Sequence, residues 1–253
     1  MRNFLKILSY FCPQKKIVMK YLLLFLLLYG LFSCTQSTQN AQNAQKPSET
    51  AALTIPDTAD CEKFFSYEKI PDSVFARMKG RSFPENCTVA RDSLRYLRIL
   101  HYNIKGEVLS GEMVCNKKIA ADLREIFLEL FRKKYPIEKV RLIDDYGADD
   151  ETSMSDNNSS CFCFRTVAGT TELSLHALGM AVDINTLYNP YYRVKNGKEI
   201  IQPQNAKPYC DRSKKFDYKI EKDDECCKVF KKHGFLWGGD WQAYKDYQHF
   251  YKK

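Results

Sequence analysis

Apolar positions repeat with a readable period only in the last four-fifths of the chain. The clearest run covers residues 117–134, where Ile119, Leu123, Ile126, Phe127, Leu130 and Phe131 recur at spacings of three and four. That spacing places them on one face of a helix. Asn116 can cap its start, and Pro136 pushes Tyr135 out of helical geometry. The stripe predicts core packing and no chemistry. Two β-rich runs, 94–102 and 107–115, flank Asn103-Ile104-Lys105-Gly106 and predict a hairpin. Shorter patterns predict a helix at 71–78 ending at Gly80, strands at 137–143 and 182–187, and a helix at 223–232 closed by Gly234. Aromatic strands are expected at 235–241 and 247–251, around Gly238-Gly239. The polar stretch 144–160 reads as a long loop, a kind of segment that often carries function. Residues 188–219, with Pro190, Pro203 and Pro208, read as irregular. Few helices, long loops and short strands predict an α+β domain, a small antiparallel sheet with flanking helices.

The first 50 or so residues follow another pattern. Met19-Lys20 precedes a twelve-residue apolar stretch from Tyr21 to Phe32, then Ser33-Cys34. A cationic start, a short apolar run and a small residue before a cut site describe a secretory signal. A bilayer span needs roughly 20 apolar residues, so this stretch is too short to be one. Leu31-Phe32-Ser33-Cys34 also resembles the lipobox of bacterial lipoproteins, in which the cysteine is lipidated and becomes the mature first residue. That resemblance implies a membrane anchor at Cys34 and a cell-envelope location facing the periplasm or exterior. Met1 and Met19 both remain open as the start. The next segment, rich in Gln, Asn, Ser and Thr, cannot bury enough surface to offset its ordering entropy and predicts a flexible tether. The expected division is a signal at 1–33, a linker at 34–52 and one domain at 53–253.

Charge changes the picture once it is placed along the chain. The formal net charge is +8, but residues 1–33 hold five cations and no acid. From Cys34 onward, 34 basic residues face 31 acidic ones. A near-neutral, mixed surface lacks the basic stripe of a nucleic-acid binder, so nucleic acid is excluded as a partner. Eight cysteines remain in the domain: Cys61, Cys87, Cys115, Cys161, Cys163, Cys210, Cys226 and Cys227. An even count behind a secretory signal predicts disulfides, with the pairing open. Neither Cys161-Phe-Cys163 nor Cys226-Cys227 has the ligand spacing of a zinc ribbon.

Of four histidines, His101 and His233 sit in ordinary strand and helix-end contexts. His176 lies in Ser174-Leu-His-Ala-Leu-Gly-Met-Ala-Val-Asp183, and His249 follows Asp246-Tyr-Gln. These segments resemble the zinc D-alanyl-D-alanine carboxypeptidase and L-alanyl-D-glutamate endopeptidase family, whose fold is shared with the hedgehog signalling domain. The family pattern Ser-x-His-x-x-Gly-x-Ala-x-Asp is met by Ser174, His176, Gly179, Ala181 and Asp183. Its later acid, three positions before a histidine, is met by Asp246 and His249. The resemblance extends over roughly residues 70–250 and includes Asp156-Asn-Asn158, Arg165 and the Trp237-Gly-Gly segment.

The resemblance implies one zinc ion held by His176, Asp183 and His249, and a peptidoglycan peptide as substrate. Two imidazoles and a carboxylate with one open position are a ligand set suited to catalytic zinc. Asp246 is implied as general base, with Asp240 the next candidate. Arg165 is implied as the group on the substrate carbonyl or carboxylate, a role its fork of donors suits, against the plainer reading of a surface ion pair. Ser174 is implied to hydrogen-bond near the metal or the bound peptide. Trp237 and Trp241 could wall a cleft or fill the core. The sequence departs from the family at Thr186, where relatives often have Pro, and at Cys161-Phe-Cys163, which replaces a segment often carrying Asn. Endopeptidase activity of the L-alanyl-D-glutamate type is the leading expectation. The alternatives are D-alanyl-D-alanine carboxypeptidase activity and a zinc-containing, non-catalytic binding module.

Overall fold

The computed structural model describes residues 58–253, Ala168 excepted. The expected signal, Cys34 and the polar linker lie outside the described residues. After a 3-10 turn at Thr58–Phe64 come strand β1 (Ser66–Glu68) and helix α1 (Asp72–Met78), which stops where expected, before Gly80 at φ +71°. The hairpin forms as β2 (Leu94–Tyr102) and β3 (Val108–Asn116), paired from Leu94↔Asn116 to Tyr102↔Val108. Asn103 holds its turn by accepting the N–H groups of Lys105 and Glu107, each at 3.0 Å. β1 pairs antiparallel along the outer side of β2.

Helix α2 (Ala120–Arg132) lays the expected stripe on this sheet, but it starts later than the sequence suggests. Asn116 does not cap it. Its Oδ1 accepts from Lys118 N at 3.1 Å, and its Nδ2 donates to Leu178 O at 2.8 Å, two residues beyond His176. Leu97, Ile99 and Met113 meet Leu123, Ile126, Phe127 and Leu130 in a core that continues into Val182, Ile184, Phe230, Trp237 and Phe250. Full burial of each such side chain contributes roughly 1.5–3 kcal/mol. The strands that carry the candidate ligands therefore share the main core of the domain.

Three expected elements differ most, and the strand expected at 235–241 also shortens, to Leu236–Trp237 with a 3-10 turn at Gly238–Asp240 behind it. The strand at 137–143 shrinks to β4 (Lys139–Val140), followed by a 3-10 turn at Ile143–Tyr146. The expected loop at 144–160 is structured: it carries helix α3 (Asp150–Ser155) and strand β5 (Asn158–Ser159), which pairs parallel with β4. Its polar residues serve the backbone. Asp149 caps α3 by accepting from Thr152 N at 2.8 Å, and Asn158 bonds both the N–H and the C=O of Arg141. Side chains that cap and bridge in this way give a loop-like composition to an ordered segment. The third difference is at 188–219. After β6 (Ala181–Asp183), shorter than expected, strands β7 (Tyr191–Lys195) and β8 (Lys198–Gln202) form a second hairpin. Its turn is Asn196-Gly197 with φ of 51° and 73°, the positive values a type I′ turn requires.

Helix α4 (Glu225–Lys232) is capped by Asp224, which accepts from Cys226 N at 2.8 Å, and it closes before Gly234 at φ +79°. The chain ends through β9 (Leu236–Trp237), β10 (Lys245–Asp246) and β11 (His249–Tyr251). Two further antiparallel sheets result, ordered β6-β11-β9 and β10-β7-β8. The α+β class holds, with several small sheets in place of one. No helix among the described residues is long and apolar enough to cross a membrane.

The expected disulfides are absent among the described residues: all eight cysteines are free thiols. Six are buried, and five of these (Cys61, Cys115, Cys161, Cys226 and Cys227) sit in the main core with Leu, Ile and Phe neighbours. They act there as small apolar side chains. Burial pushes the thiols of Cys115 and Cys163 up to about 12, far from the thiolate form.

Candidate metal centre

The turn that presents His176 is built on backbone contacts only a glycine allows. Gly179 has φ +64°, and a Cβ there would lie 2.7 Å from Asn116 N. That approach lets Asn116 N donate to Gly179 O at 2.9 Å, fastening the turn to the end of β3. Ser174 Oγ accepts from His176 N at 3.2 Å, and Ser174 N donates to Arg165 O at 3.1 Å. The segment Cys161-Phe-Cys163 brackets the ligand from the other side. Cys163 N donates to His176 O at 3.2 Å, while Cys161 O accepts from His176 Nδ1 at 2.8 Å. Its departure in sequence leaves this backbone role intact, because only peptide groups are used.

With its Nδ1 proton held by Cys161 O, neutral His176 presents a bare Nε2. That atom lies 3.1 Å from Asp183 Oδ2 and 3.2 Å from His249 Nδ1, and His249 Nδ1 lies 3.0 Å from Asp183 Oδ1. Three lone-pair groups thus converge at a buried point, where like groups repel unless a cation or extra protons lie between them. Ligands about 2.0–2.2 Å from a tetrahedral zinc stand about 3.3–3.5 Å apart. The observed separations are close to that, so the three residues fit a small divalent ion. Asp183 is desolvated, which works to raise its pKa, yet His176 and His249 outweigh that and hold it well below the ordinary carboxylate range. Burial likewise works to lower His176, and the Asp183 charge reverses it, leaving the imidazole raised.

Asp246 sits on β10, three residues before His249. Gly238 makes room for it: a Cβ on Gly238 would lie 2.6 Å from Asp246 O and 2.9 Å from Asp246 Cβ. That close approach accounts for a glycine in the Trp237-Gly-Gly segment. Gln248 Nε2 donates to Asp246 Oδ1 at 3.3 Å. Burial raises the Asp246 carboxyl to about 7; the His249 charge opposes this and the Asp183 charge adds to it. A bound cation would pull it back down.

Residues 168–252 match the family described as D-alanyl-D-alanine carboxypeptidase. That stretch holds all three converging ligands and Asp246, and it supports a peptidase family for this part of the chain. The resemblance read from about residue 70 is matched only over this C-terminal part, so Arg165 falls just outside it. No curated protein and no solved structure matches the chain.

Arg165 is half-buried, and its Nε abuts Asp150 Oδ2 at the start of α3. Trp237 is core: it is 4% exposed, with its indole N–H on Tyr247 O at 2.8 Å. Trp241 is half-buried and its ring centre stands 5.6 Å from that of His249, so it flanks the centre. Asp240 is turned to Lys231 at 2.7 Å. His101 is buried with Nδ1 on Ile137 O, and His233 faces Asp122, both apart from the ligands. Thr186, where relatives often have Pro, donates its hydroxyl to Asn158 O at 2.8 Å and so ties β5 to the chain leaving β6. Asp156 and the two asparagines after it are scaffold: Asp156 accepts from Lys139 and Tyr146, and Asn157 Oδ1 accepts from Leu187 N. Three contributors escaped the sequence reading, namely Asp150, Gln248 and the Cys161 carbonyl. The first two carried a usable signal only once the fold placed them beside Arg165 and Asp246.

Proposed function

We propose that this protein is a zinc peptidase that hydrolyses peptidoglycan stem peptides as an L-alanyl-D-glutamate type endopeptidase. In this reading it has the hedgehog/DD-peptidase fold, is tethered to a bacterial membrane by a lipid on Cys34, and faces the periplasm or exterior. The observation that carries the reading is the convergence of His176 Nε2, Asp183 and His249 Nδ1, 3.0–3.2 Å apart, beside a desolvated carboxylate that is not part of the trio. A purely structural metal site has no use for that extra acid.

Zinc, when bound, lowers the pKa of its water from about 15.7 towards 7 and polarises a carbonyl oxygen. The protein's own groups do the rest. Cys161 O fixes the tautomer and ring plane of His176. The β6–β11 ladder fixes Asp183 against His249. Asp246, held at one oxygen by Gln248, keeps the other for a water proton and returns that proton to the departing amine. Arg165 meets the negative charge that develops on the carbonyl oxygen, or a carboxylate of the peptide. Ser174 keeps the backbone of His176 and that of Arg165 in register.

The description of the matched family favours a second reading, removal of a terminal D-alanine. Mass spectrometry of purified peptidoglycan digested with the zinc-loaded protein separates the two. Endopeptidase action releases stem peptides that begin at D-glutamate. Carboxypeptidase action shortens stems by one terminal alanine. A zinc-replete protein that yields neither product is a binding module, and the peptidase reading then fails.

A further inference from the structure

Helix α3 meets Arg165 directly and Asp246 through Gln248. At its first residue, Asp150 Oδ2 abuts Arg165 Nε. Near its other end, Met154 receives Gln248 Nε2 at its sulfur, at 3.5 Å, and Gln248 also donates to Asp246. The helix is itself pinned. Asp149 caps it, Ser153 Oγ accepts from Asn158 Nδ2 at 3.0 Å, and Met154 O accepts from the Thr186 hydroxyl at 3.1 Å. Thr186 and Asn158 adjoin β6 and β5, so α3 is referenced to the strand that carries Asp183.

We propose that Asp150 is a positioning residue for Arg165, clamping the guanidinium through Nε so that its Nη edge is held for an anionic group of the bound peptide. Three observations support this. The Arg165 Nε is shielded from solvent, makes no well-aligned hydrogen bond, and has the Asp150 carboxylate abutting it as an ion pair. Asp150 is half-buried, with Arg165 and His176 as the favourable charges on it and Asp183 as the unfavourable one, which places it within electrostatic reach of the centre. A surface ion pair between flexible side chains is worth little, but here one partner sits in a capped helix anchored to β5 and β6. A carboxylate on Nε leaves the opposite edge of the planar fork for a second acceptor. The role inferred for Asp150 rests on the peptidase reading; the clamp itself does not.

The test compares Asp150→Ala, Asp150→Asn, Asp150→Glu, Arg165→Ala and the double Asp150→Ala/Arg165→Ala proteins with the wild type. Losing an outer partner of this kind typically costs about 10–100-fold in activity. The expected result is a loss of that size in kcat/KM on muropeptides for Asp150→Ala, with zinc content unchanged and partial recovery in Asp150→Glu. In the Arg165→Ala background the same change should cost nothing further, because the residue it positions is gone. Nitrogen-15 relaxation of the Arg165 Nε–H should report an ordered side chain in the wild type and a mobile one in Asp150→Ala. Asp150→Asn, which keeps the shape, replaces the alanine variant if the latter does not fold. Equal order of Arg165 with and without Asp150, or additive losses in the double variant, overturns the proposal. A wild type that cleaves no stem peptide overturns the peptidase reading instead, and the relaxation measurement still decides the clamp.

Discussion

Asp183 and His249 stand directly opposite each other across the β6–β11 ladder, and their side chains meet at 3.0 Å. Two of the three converging ligands are therefore a cross-strand pair, and the register of one short ladder sets their separation. A slip of one residue in either strand would turn that strand's ligand away from its partner, to the other face. Phe250, next to His249 and paired with Val182, is fully buried and stacks on Phe230 at 4.2 Å. The core thus locks the register that aligns the ligands.

The first prediction concerns the metal. His249→Ala and Asp183→Ala should each abolish stoichiometric zinc retention, since either change leaves only two of the three converging groups. Elemental analysis after dialysis measures this. Full occupancy in His249→Ala would show that the ion is held elsewhere.

Gly179→Ala should destabilise the protein even though it removes no interaction. A positive φ costs a non-glycine residue on the order of 1–3 kcal/mol, and here the new Cβ would also meet Asn116 N at 2.7 Å. The turn must then move off β3, carrying His176 with it. Thermal melting should fall, and zinc affinity should fall in parallel. A melting temperature equal to the wild type's would mean that the turn adapts without cost.

These two sites show what could be read ahead of the structure. His176, Asp183 and His249 were legible through their resemblance to a family pattern, and the structure brings the three together. The α2 stripe and the β2–β3 hairpin were legible because each carries one clear period. Asp150 and α3 were not. A six-residue helix presents too few apolar positions to set a period, and Asp149, Asn157 and Asn158 signal a loop while in fact capping and bridging one. The cysteines misled for a related reason: a count says nothing of whether thiols face each other or a core. The Asn196-Gly197 turn was present in the sequence, but the prolines on either side of its hairpin suggested irregular chain.

The anchor is tested separately from the enzyme. Cys34→Ser should release the protein from membranes to the soluble fraction, because one acyl chain binds only marginally and a multiply acylated cysteine is what holds. Failure of radiolabelled fatty acid to enter the wild-type chain would remove the lipoprotein reading and leave the peptidase reading untouched.

The last prediction isolates Asp246. Asp246→Asn keeps the side chain's size but cannot accept a proton, so turnover on muropeptides should fall about 10²–10⁴-fold with zinc and fold retained. Asp246→Glu restores the residue that many members of the resembled family use and should keep part of the activity, if the space beside Gly238 accepts one more methylene. The pH profile gives the sharper test. The active form is the carboxylate, so the wild-type rate should fall as pH falls through the Asp246 pKa. Burial raises that value to about 7 in the metal-free chain, and a bound cation lowers it, so the acid limb should lie between the ordinary carboxylate value near 4 and about 7. Asp246→Asn should lose this limb along with its rate. Asp240 does not offer a substitute, since it is paired with Lys231. A zinc-replete Asp246→Asn protein with near-normal turnover and an unchanged acid limb would assign the proton transfer to another group.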